Sequence, residues 1–330
     1  MIRIALLSSA HMHASAYVHG LRALSNVEII GIFDHDALRG QAFAKEHHLP
    51  WSPQLDPLLA QANATIICSE NARHRFYVEA SASAKLPMLC EKPLATTLDD
   101  ALHMLEAAQA AKAPLYLALP VRFAPGFAQM LEAVHQGQVG RVLAMVGTNH
   151  GYLPPGWFLN VKESGGGAIM DHTPHVTDLM RLITRSEVDE VFAEIDSRAR
   201  QANIDDSGIL TLEFHNGAFA TLDPSWTRTE GFPTWGDVTL EVVGTNGVIE
   251  FDPFRPHLNV YRGDSPTHRY VGFGENMDDH LIQAYVSALS QTTPHPLLAN
   301  GLDGLRALEI ALAAYRSQAS HHPERIQHLL

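Results

Sequence analysis

Three short stretches of this 330-residue chain hold residue types suited to proton and hydride chemistry. The first is Glu91-Lys92-Pro93, which follows the apolar run Pro87 to Cys90. A lysine there, constrained by the following proline, could hydrogen-bond a substrate hydroxyl and polarise it. The second is Gly165 to His175, containing Asp171, His172, Thr173, Pro174 and His175. Thr173 and Pro174 read as N-cap and first residue of a helix, which puts His175 in its first turn. The positive end of the helix dipole lowers the pKa of an imidazole so placed, and a neutral imidazole is what a general base for an alcohol proton requires. Asp171, just upstream, could orient that imidazole or touch the substrate. On local evidence alone, Lys92 also reads as a surface lysine and His175 as a buried capping histidine.

The third stretch is Ser8-Ser9-Ala10-His11-Met12-His13, directly after the apolar run Ile2 to Leu7. A strand followed by a tight turn and a helix is an anion site, because backbone N–H groups and the helix dipole point into it. Dinucleotide-binding turns are usually written Gly-x-Gly-x-x-Gly. Here Ser8 and Ala10 stand at the first two glycine positions and His13 at the third. The fingerprint is absent, and His13 predicts a wider turn or a shifted helix. Asp34 ends the second apolar run, Val27 to Phe33, where a carboxylate can accept hydrogen bonds from the adenosine ribose. That favours NAD, with NADP left open by the nearby Arg39; a plain helix cap is the other reading of Asp34.

The elements that must position these residues follow a regular pattern in the first 120 positions. Apolar strands at 2–7, 27–33, 64–68, 87–90 and 115–119 alternate with helices near 14–24, 37–47, 75–84 and 97–111. Thr97, with Asp100 three residues on, marks the start of the last of these. Continuous apolar strands separated by amphipathic helices mean a parallel sheet covered on both faces, a Rossmann-type doubly wound α/β domain over 1–120. Beyond Pro120 the pattern changes. His215-Asn216-Gly217 and Thr245-Asn246-Gly247 place Asn-Gly between alternating runs, a hairpin signal. Residues 121–330 are therefore expected to form an α+β domain with a largely antiparallel sheet, for substrate binding and oligomerisation.

Composition narrows the partners. A formal net charge of −13 argues against nucleic acid and anionic membrane surfaces, which call for clustered Lys and Arg. No apolar run is long enough to span a bilayer, and the N-terminal stretch fits a strand better than a signal peptide, so a cytoplasmic location is expected. The only two cysteines, Cys68 and Cys90, sit in apolar runs and read as buried core thiols in a reducing compartment.

Together these pieces resemble the glucose–fructose oxidoreductase and inositol dehydrogenase family (Gfo/Idh/MocA). Ser69-Glu70-Asn71-Ala72-Arg73-His74 is similar to the family's loop after the third strand, and Glu91-Lys92-Pro93-Leu94-Ala95 to its central motif. Arg122-Phe123 with Pro125, Val139-Gly140-Arg141-Val142, and Trp157 ahead of the Gly165 to Asp178 stretch follow in the family's order. Asn216-Gly217-Ala218 and Val243-Gly244-Thr245-Asn246-Gly247 match its hairpins. The resemblance implies hydride transfer between a bound nicotinamide and a sugar, cyclitol or related polyol. In it Lys92 polarises the reacting oxygen, His175 exchanges its proton and Asp171 assists. It further implies cofactor contacts from Ser8, Ala10, His11, Met12, His13, Asp34, Ser69, Asn71, His74, Glu91 and Lys92. Substrate contacts are expected from Arg122, Trp157 and His172, and the assembly is expected to be a homodimer or homotetramer. Two other readings stay open: a tightly bound NAD with no net redox, as in epimerases and NAD-dependent glycosidases, and a sensor that has lost the chemistry. His11 and His13 also suggest a metal site with Asp171, His172 or His175, but no metal is expected.

Overall fold

The computed structural model describes residues 1–199, 203–261, 268–272, 274–291 and 293–330. The chain opens with β1 (Ile2–Leu7), α1 (His13–Arg22), β2 (Val27–Phe33), α2 (Ala37–Glu46), α3 (Leu55–Leu59), β3 (Ala64–Ile67), α4 (His74–Ser83), β4 (Met88–Glu91), α5 (Leu98–Ala111) and β5 (Leu115–Ala118). It continues with α6 (Phe127–His135), β6 (Val142–Gly151), α7 (Val161–Ser164), α8 (Ala168–Thr184), β7 (Val188–Asp196), β8 (Ser207–Phe214), β9 (Phe219–Asp223), β10 (Gly236–Gly244) and β11 (Val248–Phe251). The hairpin β12 (His257–Tyr261) and β13 (His268–Gly272), α9 (Met277–Ala288), α10 (Gly301–Ser320) and β14 (Glu324–Arg325) complete it.

The chain forms two compact units, one of Met1–Pro120, Asn160–Gly166 and Asp278–Leu308, the other of Val121–Leu159, Gly167–Met277 and Glu309–Leu330. The stretch expected as one second domain, 121–330, is thus split, with two of its segments in the first unit. One reason is visible at α9. Tyr285 is fully buried and its hydroxyl donates to the Thr65 and Pro87 carbonyls, at 2.8 and 3.1 Å. A buried phenol needs such partners, and nothing local to α9 announces them.

The first unit is built on a five-stranded parallel sheet in the order β2-β1-β3-β4-β5. Every residue of β3 and β4 is buried, as strands covered on both faces must be. Register matters most for function. Leu7 pairs with Phe33 and Ile67, and Ile67 pairs with Cys90. The residues that come next, Ser8, Asp34, Cys68 and Glu91, therefore emerge side by side at the carboxyl edge, where open α/β sheets bind ligands. Thr97 caps α5, accepting from the Asp100 N–H at 3.2 Å, as its sequence predicts.

The second unit carries a seven-stranded sheet in the order β11-β10-β6-β9-β8-β7-β14, with only β6 and β9 parallel. Both Asn-Gly turns join antiparallel neighbours, β8 to β9 and β10 to β11. The apolar face of the sheet packs on α8. A Cβ at Gly147 would fall 2.7 Å from Val176 and 2.9 Å from Met180, so only glycine allows this approach. Among the described residues no helix is long and apolar enough to cross a membrane. Cys68 and Cys90 are free and buried.

Candidate active site

The turn after β1 solves the glycine problem with polar anchors. Ser8 adopts a left-handed φ of 69°, a conformation that normally favours glycine. Its amide donates to the Phe33 carbonyl at 2.6 Å, its hydroxyl donates to Asp34 Oδ2 at 3.1 Å, and Arg39 Nη2 donates to that hydroxyl at 3.2 Å. Asp34 is buried and also accepts from the Ser9 amide at 2.9 Å. Burial alone would raise its pKa, but Arg39 and the Ser9 and Asp36 amides outweigh this and hold the carboxyl below its ordinary value. Arg39 is bidentate to Asp34 and reaches Glu70 Oε1 at 2.7 Å.

Further along the turn, the Ala10 amide donates to Ser8 Oγ at 3.3 Å, the His11 amide to the Cys68 carbonyl at 2.9 Å, and Met12 caps α1 without a side-chain bond. His13 opens α1, and its side chain reaches Glu91. Glu91 is buried; Tyr17 donates to its Oε1 at 2.5 Å and His13 Nδ1 lies 3.2 Å from the same atom. Burial pushes the Glu91 carboxyl up, but His11, His13 and Tyr17 together hold it well below the usual carboxylate range. His13 in turn is raised: burial lowers it and Glu91 more than compensates.

Lys92 is almost wholly buried and its amide donates to Glu91 Oε2 at 3.2 Å. Its loop is held from behind by His74, whose Nδ1 donates to the Pro93 carbonyl at 2.9 Å. Burial leaves that imidazole below its ordinary pKa, hence neutral at pH 7. Asn71 donates to the Ser164 carbonyl at 2.8 Å, and Ser69 to the Glu70 carbonyl at 3.1 Å. Among the residues expected to bind cofactor, Ser8 to His13, Asp34, Ser69, Asn71, His74, Glu91 and Lys92 all lie in the first unit.

In the second unit α8 overturns one expectation. The helix begins at Ala168, so Pro174 lies inside it and His175 about two turns in, not in the first turn. The cause is Asp205, whose carboxylate accepts from the Gly167 amide at 2.8 Å and the Ile169 amide at 2.9 Å. This cap lies far along the chain and starts the helix before Thr173. The dipole argument for lowering the His175 pKa therefore falls away, although His175 remains buried.

Asp171 sits instead in the first turn of α8, accepting from Trp226 Nε1 at 3.2 Å, with His172 Nε2 3.3 Å from the same oxygen. His172 Nδ1 donates to the Asn149 carbonyl at 2.7 Å, which fixes the ring. Trp226 is fully buried against Ala168 and Ile204. Arg122 is buried and bidentate to Asp178, with both contacts at 2.5 Å. Trp157 stacks on Phe158 with ring centres 3.9 Å apart. Sequence reasoning missed Tyr17, Asp178 and Asp205, and of these only Asp178, a charge inside an apolar helical pattern, left a local signal.

Comparison with known proteins accounts for both units. Residues 5–118 match the model of an oxidoreductase family with an NAD-binding Rossmann fold, and residues 127–250 match the GFO/IDH/MocA C-terminal domain. The chain is 30% identical over 250 residues to 1,5-anhydro-D-fructose reductase of Ensifer adhaerens, covering 74% of each chain. It is 28% identical over 298 residues to myo-inositol 2-dehydrogenase of Thermotoga maritima, covering 88% of this chain and 85% of that one. The crystal structure of GenD2 from gentamicin A biosynthesis, in complex with NAD, has the same fold, with a TM-score of 0.89 over 99% of this chain and 96% of that one at 22% identity. At the carboxyl edge of the first sheet Asp34 follows β2 where a dinucleotide's ribose is bound, while the Ser8, Ser9, Ala10, His11 and His13 amides of the turn after β1 are engaged by protein acceptors. The chain belongs to the GFO/IDH/MocA oxidoreductase family, and its first sheet is that family's NAD-binding Rossmann domain.

Proposed function

We propose that this protein is a dehydrogenase that moves a hydride between NAD and a CH–OH carbon of a sugar, cyclitol or related polyol. The observation that carries the reading is Lys92, buried at the carboxyl edge of the NAD-binding sheet in a loop that His74 holds through the Pro93 carbonyl. The names of the two relatives, a myo-inositol dehydrogenase and an anhydrofructose reductase, support the same bond type. Bound NAD supplies the hydride acceptor. Lys92 donates a hydrogen bond to the reacting oxygen, His175 takes the hydroxyl proton as the carbonyl forms, and Asp171, fixed by Trp226 and His172, assists that transfer. His172 and Trp157 serve the substrate, and Arg122 serves it by anchoring α8 through Asp178.

Ser8 to His13 form the turn for the pyrophosphate, Asp34 takes the ribose, and Ser69, Asn71 and Glu91 shape the remaining edge, to which His74 contributes by holding the Lys92 loop. NAD is the coenzyme favoured over NADP. Asp34 and Glu70 are balanced by Arg39 and Arg73, and both carboxylates already engage the Arg39 guanidinium. The Asp34 carboxylate at the ribose position would itself repel a 2′-phosphate. We further assign a homo-oligomer to the outer face of the large sheet, where Val146, Ile209, Phe219 and Val248 are exposed together. The reducing compartment suggested by the two buried thiols is the cytoplasm.

The test is a screen of sugars, cyclitols and sugar acids with NAD, read by NADH absorbance, with Lys92→Met and His175→Ala beside the parent protein. Substrate-dependent NADH formation, abolished in Lys92→Met, is expected. Failure to bind NAD at millimolar concentration would sink the reading. NAD that stays bound through turnover without net NADH would replace it with transient oxidation.

A further inference from the structure

His11, His13 and Glu91 were not expected to meet. The first two come from the turn after β1, and Glu91 ends β4, yet one potential ligand atom from each lies within 4.8 Å of the others. His11 Nδ1 stands 3.5 Å and His13 Nδ1 3.2 Å from Glu91 Oε1. The metal partners raised from sequence, Asp171, His172 and His175, belong to the other unit.

We propose that these three side chains bind one divalent cation of the zinc class, leaving a fourth position open. Two atoms held at about 2.0–2.1 Å from a tetrahedral ion stand about 3.3 Å apart. The two separations from Glu91 Oε1 bracket that edge length, and the third edge, between the imidazoles, is no longer than 4.8 Å, so the carboxylate is already in place and the imidazoles close on the ion. Two imidazoles and one carboxylate form a borderline donor set that suits zinc better than magnesium or calcium, which prefer oxygen.

The competing account is a carboxylate that merely accepts hydrogen bonds from two histidines. His13 fits it, but His11 does not. The His13 backbone N–H donates to His11 Nδ1 at 3.3 Å, so that nitrogen holds a lone pair and no proton for Glu91, and a bound cation would take this lone pair over from the long amide contact. An unprotonated imidazole nitrogen is the form that ligates a metal.

The surroundings supply what such a site needs. Glu91 and His11 are buried while His13 is about a quarter exposed, which gives an entry path. Tyr17 donates to the ligating Oε1, the outer hydrogen bond that orients a carboxylate ligand. Asp278 adds a second negative charge felt by His13, and Lys92 a positive one. With neutral imidazoles the local sum is minus one, which favours a dication. The cation would clamp the glycine-free turn to the end of β4. The proposal stands whether or not the protein turns over polyols.

The test uses the full chain without a polyhistidine tag, stripped with chelator and titrated with Co²⁺. One equivalent per chain is expected, with the intense visible bands of a tetrahedral site, displaced stoichiometrically by Zn²⁺. Tyr17→Phe should weaken binding about 10- to 100-fold, and His13→Ala should abolish the spectrum while circular dichroism stays native. If either variant fails to fold, the parent titration decides alone. The absence of saturable Co²⁺ binding overturns the proposal. So does a sulfur-to-cobalt charge-transfer band, which would assign the ion to Cys68 or Cys90, and so does unchanged affinity in a folded His13→Ala.

Discussion

His74 Nδ1 lies 2.9 Å from the Pro93 carbonyl oxygen and 3.2 Å from that of Leu94, so one buried imidazole N–H ties α4 to the loop that carries Lys92. His74 is a positioning residue in this arrangement: it acts on chemistry only through where it puts Lys92.

Replacing it should separate positioning from binding. His74→Phe leaves two buried carbonyls without their donor and should cost about 1–3 kcal/mol of stability. Displacement of Lys92 should lower kcat by up to about 100-fold while the Kd for NAD changes little. His74→Asn, which keeps an N–H donor, should recover part of kcat. Equal kcat in parent and His74→Phe would remove the positioning role.

The Asp34–Arg39–Glu70 trio should set coenzyme choice. Asp34→Ser removes the ribose acceptor and leaves Arg39 with one carboxylate instead of two. The Kd for NAD, followed by quenching of protein fluorescence, should rise about tenfold, equivalent to about 1.4 kcal/mol. Affinity for NADP should rise at the same time. A variant that keeps the parent's preference would mean the ribose is read elsewhere.

The same carboxylate gives a signed pH dependence. Burial acts to raise the Asp34 pKa, but Arg39 and the amide donors carry it below the ordinary 3.8. A depressed folded pKa stabilises the fold fully above the unfolded value, and that contribution disappears as pH falls from there through the folded value. The stability gap between the parent and Asp34→Asn should therefore be widest near neutrality and narrow below about pH 4. Chemical denaturation at a series of pH values measures it, and a gap that widens on acidification would contradict the pairing.

Arg122 and Asp178 form a buried pair linking the stretch after β5 to α8. Arg122→Met leaves the buried Asp178 carboxylate with the longer Arg181 contact at 3.4 Å and should cost about 3 kcal/mol. The double variant Arg122→Met with Asp178→Leu should recover most of that, because both charges are then gone. A double variant as unstable as the single one would show that the pair contributes through something besides its charges.

Much of this was legible locally. The β1 and β2 runs, Ile2 to Leu7 and Val27 to Phe33, are mostly apolar stretches interrupted only by Arg3 and Glu28, and their bounds match the structure. Thr97 with Asp100 announces α5, and the two Asn-Gly pairs announce their hairpins, because capping and turn chemistry act over three or four residues. The start of α8 was misread for the complementary reason. Thr173-Pro174 is a good local N-terminus, but Asp205, more than thirty residues on, satisfies the helix amides earlier, at Gly167 and Ile169.

The sequence by itself determined the layered order of elements and the family motifs around Lys92 and Asp171, since periodicity and short motifs are properties of neighbours in the chain. Only the tertiary structure decided what surrounds them. Parallel register aligned the ends of β1, β2, β3 and β4 and so brought His11 and His13 to Glu91, and Ser8 to Asp34. Those partners are separated by tens of residues. Their meeting depends on the strand pairing of the folded sheet, which spacing along the chain does not encode.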